Sequence, residues 1–265
     1  ENLWKRDDRI GEVHRVVDAI QREHHALIEQ KFPKLNRCLT GYDLAHIRDG
    51  QNRFNLNNIL CGSEGTLGFI TEAKINLLAI PKFSALINVN YRDFNVALRD
   101  ATELMKANPT SIETVDSKVL NLAMNDIVWH SVAEFFPAPV SGEKIQGINL
   151  VEYTANSEEE LTADVKKLTD LLDHFAQDPA TGRISYSVAW GNDAVNKIWG
   201  MRKKAVGLLG NVEGEIRPVP FVEDTAVPPE NLADFIFEFR AVLDEYKLTY
   251  GMFGHVDAGV LHVRP

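Results

Sequence analysis

Ile10, Val13, Val17, Ile20, Leu27 and Ile28 recur at helical spacing with charged residues between them. That pattern predicts a helix over residues 9–30, ended by Pro33. A stretch rich in Gly, Asn and Asp reads as loop through Asn58. Ile59–Cys61 then reads as a short apolar strand, and Ala73–Ala79 alternates like a second one before Pro81.

Beyond Pro81 the periodicity switches back and forth between strand and helix. Strands are predicted at Ala85–Tyr91, Ser111–Val115, Gly147–Thr154, Ile184–Ala189, Val219–Val222 and Leu248–Gly254. Helices are predicted at Phe94–Ala107, Ser117–Met124, Ser157–Ala176, Asp193–Leu208 (stopped by Gly210) and Pro229–Tyr246. Residues 126–146, with Pro137, Pro139 and Gly142, read as irregular. The fold class expected is α+β: a ferredoxin-like antiparallel sheet with helices on one face, separated near Pro81 from a smaller preceding region.

Composition narrows the partners. The 265 residues carry a formal charge of −10, which argues against a nucleic-acid binder. A local Arg can still bind a small anion. The two cysteines, Cys38 and Cys61, cannot form a disulfide scaffold or hold an iron–sulfur centre, and suggest a reducing compartment. No apolar run reaches the roughly 18 residues that a transmembrane span needs. A cytoplasmic protein is expected, with attachment to the inner face of the membrane as the other placement. The missing initiator Met and the stop just after an apolar stretch lead us to expect an internal fragment of a longer chain.

Gly62-x-x-Gly65-x-x-Gly68 has no following helix and no Lys-Ser or Lys-Thr pair, so it is neither a Rossmann fingerprint nor a P-loop. Its glycines alone describe a tight turn between strands, or a backbone that approaches a ligand closely. The full string Gly-Ser-Glu-Gly-Thr-Leu-Gly-Phe-Ile-Thr-Glu-Ala resembles the FAD-binding signature of the vanillyl-alcohol oxidase family of flavoproteins. Upstream, Arg37-Cys38-Leu39-Thr40-Gly41-Tyr42-Asp43-Leu44 resembles the same family's Gly-Tyr-Asp-Leu element. The resemblance implies FAD contact at Gly62, Ser63, Gly65, Thr66, Gly68 and Ile70, with Glu64 supporting the loop.

His255 and His262 stand seven positions apart, with Asp257-Ala258-Gly259 between them as a turn signal. Two neutral imidazoles suit Zn, Mn or Fe; spacing alone equally describes two unrelated histidines at a strand end. The segment from Gly254 to His262 resembles the Gly-His-x-Gly-Asp-Gly-Asn-Leu-His motif of D-2-hydroxyglutarate, glycolate and D-lactate dehydrogenases in this family. Asp257, Ala258 and Val260 depart from it. The resemblance implies that His255 and His262 are metal ligands and catalytic residues, completed by a Glu beyond Pro265.

Arg202, in the predicted helix beside Lys203 and Lys204, reads by itself as a solvated side chain. Its Trp199-Gly200-Met201-Arg202 setting resembles the family's Trp-x-x-Arg element, which implies that Arg202 binds the substrate carboxylate. Glu223-Asp224-Thr225-Ala226-Val227-Pro228 resembles the Glu-Asp-x-x-Val-Pro segment. Some members carry a Lys two residues before that Asp; here Val222 stands there, leaving Arg217 or Arg264 to reach a distal carboxylate. Ser111–Asp116 resembles a Glu-x-x-Asp stretch, read as structural. The other histidines (His14, His24, His25, His46, His130 and His174) carry no motif.

The resemblance, from about residue 35 to the end, implies residues 1–80 as the closing part of an FAD-binding domain and 81–265 as a truncated cap or substrate domain. The implied reaction is oxidation of a D-2-hydroxy acid to a 2-oxo acid by FAD with a divalent metal. A small anionic 2-hydroxy acid is the substrate partner, and a base outside the chain takes the hydroxyl proton. The likeness is to large bacterial members, whose iron–sulfur region would lie outside this chain. Two alternatives stay open: a non-catalytic module that binds a small acid or a partner, and a metal-free flavin alcohol oxidase.

Overall fold

The computed structural model describes residues 3–35, 41–175, 181–209, 220 and 222–265. Residues 37–40 of the upstream element, the helix stop at Gly210, Arg217, and residues 219 and 221 of the strand expected at 219–222 lie outside the described residues. The chain divides into two compact units, Glu1–Leu77 and Leu78–Pro265.

In the first unit the expected long helix is two. Helix α1 (Arg9–Glu23) starts where the Asp8 carboxylate accepts from the Gly11 amide, and α2 (His25–Lys31) follows a break at His24. Helix α3 (Asn57–Leu60) replaces the short apolar strand expected at Ile59–Cys61. The strand expected at Ala73–Ala79 is also absent: those residues are exposed and without regular structure. Alternation is only half of a strand; the other half is a neighbour to hydrogen-bond with, and no described segment pairs with residues 73–79.

The second unit follows the predicted order as far as the strand at Gly251–His255; the strand at Val222–Ala226 runs later than the Val219–Val222 expected, and that at Val260–Arg264 is one that the sequence reading did not give. The unit runs β1 (Phe83–Tyr91), α4 (Phe94–Met105), β2 (Ser111–Asp116), α5 (Ser117–Met124), β3 (Gly147–Ala155), α6 (Glu158–Phe175), β4 (Arg183–Trp190) and α7 (Asn192–Leu209). Then come β5 (Val222–Ala226), α8 (Leu232–Glu245), β6 (Gly251–His255) and β7 (Val260–Arg264). Asp93 and Asp116 cap α4 and α5 by accepting from Val96 and Val119, each worth about 1 kcal/mol.

The sheet order is β4-β1-β3-β2-β6-β7-β5, with every pairing antiparallel. Its first four strands, with α4 and α6 on one face, form the expected ferredoxin-like core; β6, β7 and β5 extend it past β2. Helical cover reaches further than the one face expected. Ala85, Ile87 and Val89 pack with α4, α6 and α8, whereas Leu86, Ile148 and Leu150 pack with α5 and α7. Both faces of the central strands are apolar, so both must be covered.

A buried polar group sits within the first of these layers. Arg183 donates through Nε and a terminal nitrogen to Asp100, at 2.7 and 2.6 Å, and Tyr91 donates its hydroxyl to the same carboxylate at 2.6 Å. No helix among the described residues is long and apolar enough to cross a membrane.

Candidate functional site

The register between β2 and β6 sets Glu113 opposite His255 and Val115 opposite Phe253, and that between β6 and β7 sets Phe253 opposite His262. Directly opposed residues share a face, and residues two apart on a strand share it too. Glu113, His255, Phe253, His262 and Arg264 are thereby gathered on the face covered by α5 and α7. Helix α7 lowers Arg202 onto the same place, because Val195, Ile198, Met201 and Ala205 bury its apolar stripe against the sheet.

Glu113 is the hinge of this group. One carboxylate oxygen accepts from a terminal nitrogen of Arg202, and the other pairs with His255 Nδ1. Burial pushes the Glu113 carboxyl up, but the His255 hydrogen bond and the Arg202 charge together outweigh it and hold the group below its ordinary value. Nearby, burial raises the Asp257 carboxyl above its ordinary range, against hydrogen bonds from the Ile112 and Ala258 backbones. Arg202 keeps Nε without a hydrogen-bond partner, and its guanidinium carbon lies 5.2 Å from the centre of the Phe253 ring.

A second such arrangement is built at the sheet's far edge. Val222 pairs with Val263 and Thr225 with Leu261, so Glu223 and Asp224 together oppose the single residue His262. This bulge, with Asp224 at φ 53°, turns two carboxylates toward one imidazole. Glu223 Oε2 stands 2.7 Å from His262 Nδ1, close but off the line of a hydrogen bond; Asp224 stands at 3.7 Å. The other Glu223 oxygen accepts from Arg264 Nε at 2.7 Å.

The two imidazoles meet edge to face with centres 5.6 Å apart. The turn between them is a 3-10 segment, Val256–Ala258, closed by Gly259 at φ 68°. A Cβ on Gly259 would lie 1.8 Å from the Val227 carbonyl oxygen, so only glycine fits. Among the described residues no three His, Cys, Asp or Glu side chains gather as a metal cage. Beside Arg202 lies an open cleft of about 500 Å³ lined by Ser111, Glu113, Glu152, Trp199, Arg202 and Lys203. Glu152 there accepts from the Trp199 indole at 3.0 Å and from the Ser111 hydroxyl at 3.2 Å.

Thus Arg202, His255 and His262 come together, joined by two carboxylates that sequence reading passed over. Glu113 lay in a stretch read as structural, and Glu223 was quoted only as part of a motif. The remaining predicted residues form a separate turn in the first unit. Gly62 approaches the Gly41 backbone so closely that a Cβ would sit 1.9 Å from its carbonyl oxygen. Ser63 is buried and donates to Leu60 O at 2.8 Å; Thr66 donates to Ser63 O and shares a 2.6 Å contact with the Tyr42 hydroxyl. Gly65 has φ 79°, and a Cβ on Gly65 or Gly68 would meet nothing within 4 Å. Ile70 is exposed.

Comparison with known proteins agrees with this architecture. The chain is 60% identical over 257 residues to a D-2-hydroxyglutarate dehydrogenase of Pseudomonas putida, covering 97% of this chain and 25% of that protein. It is 50% identical to a D-2-hydroxyglutarate dehydrogenase of Escherichia coli over 100% of this chain and 26% of that one. The chain therefore spans about a quarter of the length of these curated relatives. A solved alkyldihydroxyacetonephosphate synthase shares the fold, with a TM-score of 0.52 at 15% identity over 77% of this chain and 38% of that one. Residues 80–265 match the family described as FAD linked oxidases, C-terminal domain, and the chain belongs to that family.

Proposed function

We propose that this chain forms the substrate side of an FAD-dependent dehydrogenase that oxidises a D-2-hydroxy acid to the 2-oxo acid. On this reading residues 1–80 close the FAD-binding domain and residues 81–265 form the substrate domain. The observation that carries it is the link Arg202–Glu113–His255, which ties a guanidinium to an imidazole through one carboxylate. The dehydrogenase names of relatives at 50–60% identity support it.

Arg202 holds the C1 carboxylate of the acid. Its fork has donors beyond the one given to Glu113, and its guanidinium carbon lies 5.2 Å from the centre of the Phe253 ring. Donor chemistry at the histidines fits a divalent metal: His255 Nδ1 pairs with Glu113, which leaves its Nε2 as the ligating atom, and His262 Nδ1 lies beside the Glu223 carboxylate. His255 and His262 would hold it, and its contribution when bound is to lower the pKa of the α-hydroxyl. The glycine turn fits a flavin nucleotide at Gly65 and Gly68, whose Cα positions face open space, with Gly62, Ser63, Thr66 and Ile70 flanking them. FAD supplies hydride acceptance from the α-carbon.

The test is the visible spectrum of the intact protein carrying this chain, under anaerobic addition of D-2-hydroxyglutarate, D-lactate or glycolate. Flavin bands that bleach are the expected result. Bands that persist with every acid overturn the hydroxy-acid reading. Folded protein that takes up no FAD leaves small-acid binding without redox chemistry as the function.

A further inference from the structure

Helix α7 seats on the sheet through Val195, Ile198, Met201 and Ala205. Such a stripe decides which face of a helix turns inward. Apolar contact has no direction, however, and sets the slide of the helix along the strands only loosely. Slide matters here, because a shift by one residue's rise moves every side chain on the helix by about 1.5 Å. Trp199, Arg202 and Lys203 stand at positions i, i+3 and i+4, so they share one flank of α7 and line the same cleft.

From that flank Arg202 donates to Glu113 on β2, and the Trp199 indole N–H donates to Glu152 on β3 at 3.0 Å. Glu152 is itself held: Ser111, its cross-strand partner, donates to the other carboxylate oxygen at 3.2 Å. An indole has few torsions, so its bond to a strand-borne carboxylate fixes the helix in direction as well as distance. The ties differ in what they leave free. The bond to Glu113 is made by the guanidinium that has to take the acid, so it is not independent of the acid. The bond to Glu152 is made by a side chain with no part in the reaction, and it persists while Arg202 shares its fork. A carboxylate in a cleft that takes an anion is unfavourable by charge alone, and the proposed reaction gives Glu152 no chemical step.

Resting on the reading of Arg202 above, we propose that Glu152 is a positioning residue. Through the Trp199 indole it fixes α7 along the sheet and sets Arg202 at the height from which it binds the acid, without touching the acid itself.

The experiment compares the intact flavoprotein with its Trp199→Phe, Glu152→Leu and Glu152→Gln variants. Two readouts are used: KM and kcat for D-2-hydroxyglutarate, and amide hydrogen exchange across Asn192–Leu209. Trp199→Phe removes the indole donor with no change of charge, and Glu152→Leu removes the acceptor. Both should raise KM about 10-fold with kcat nearly unchanged, since Arg202 grips substrate and transition state alike. Both should also speed exchange in α7, and the double variant should be no worse than either single one. Glu152→Gln keeps an oxygen for the indole and an amide for the Ser111 hydroxyl. It should hold KM at or below the wild-type value, because only the charge that opposes the anion is lost. A Leu variant that lowers KM as Gln does makes the role one of charge and overturns the inference. So does a Gln variant that raises KM as much as Leu, or a Trp199→Phe variant with KM and exchange unchanged. Variants that lose kcat and bound flavin at unchanged KM make the tie a general folding contact, which also overturns it. A wild-type flavin that no acid reduces fails the dehydrogenase reading instead, and hydrogen exchange then still decides whether Glu152 locates α7 through Trp199.

Discussion

Glu113 and His255 are direct cross-strand partners, one on β2 and the other on β6. Their contact is therefore a property of the sheet's register rather than of loop conformation. A slip by one residue would send one of them to the opposite face and undo the site. Arg202, arriving from α7, finds a carboxylate already fixed by the backbone.

Glu113→Gln removes the charge that faces both Arg202 and His255 while keeping the shape. In the intact protein, zinc affinity should fall about 10- to 100-fold, as when a carboxylate behind a metal-binding imidazole is lost. Zinc titration with circular dichroism as a folding control measures this. Unchanged affinity in the folded variant would show that Glu113 has no hold on His255 as a ligand.

Gly259→Ala places a methyl group against the Val227 carbonyl at a residue held at φ 68°. The backbone conformation alone costs about 1–3 kcal/mol. Chemical denaturation should show a lower midpoint, and the shift should exceed that of Gly200→Ala, where a Cβ meets nothing within 4 Å. Equal midpoints would mean that the turn moves aside freely.

Asp116 predicts a pH dependence of stability. Burial pushes its carboxyl up to about 6, against hydrogen bonds from the Val119 and Met252 amides. The folded state then binds the proton more tightly than the unfolded chain does. Its contribution is full below the unfolded value of 3.8 and is lost as pH rises through about 6. Across that window the loss is about 3 kcal/mol. Urea midpoints at pH 4 to 7, compared with those of Asp116→Asn, isolate the slope. The variant should be flatter over this range, and parallel curves would refute the assignment.

Up to α8 the second unit was legible because most of its strands and helices carry a complete local pattern, whereas the short β7 was not read. Ser117–Met124 begins and ends as the sequence predicts, since Asp116 announces the cap and Leu120 and Ala123 the buried stripe. The first unit was less so. Ile59 and Leu60 are apolar enough for a strand but sit in one helical turn, and the alternation of residues 73–79 finds no described partner. In the cluster, Arg202, His255 and His262 had been singled out through motifs, whereas Glu113 had not. A lone Glu within a strand has no local mark, and its guanidinium partner lies 89 positions away. Glu223 acquires its place from a bulge, which exists only once β5 has found β7.

The pairing of β2 with β6 also has a kinetic consequence. The four ferredoxin-like strands are complete by Trp190, but Glu113 receives its strand partner only when residues 251–255 arrive. Closing so long a loop is slow compared with forming the helices around it. The central four strands can therefore assemble during synthesis with β2 still an open edge, and Glu113 and His255 come together in the last docking step. A ribosome-bound chain that has not yet extended past β4 holds Glu113 with neither Arg202 nor His255, so the nascent sheet folds before this cluster exists.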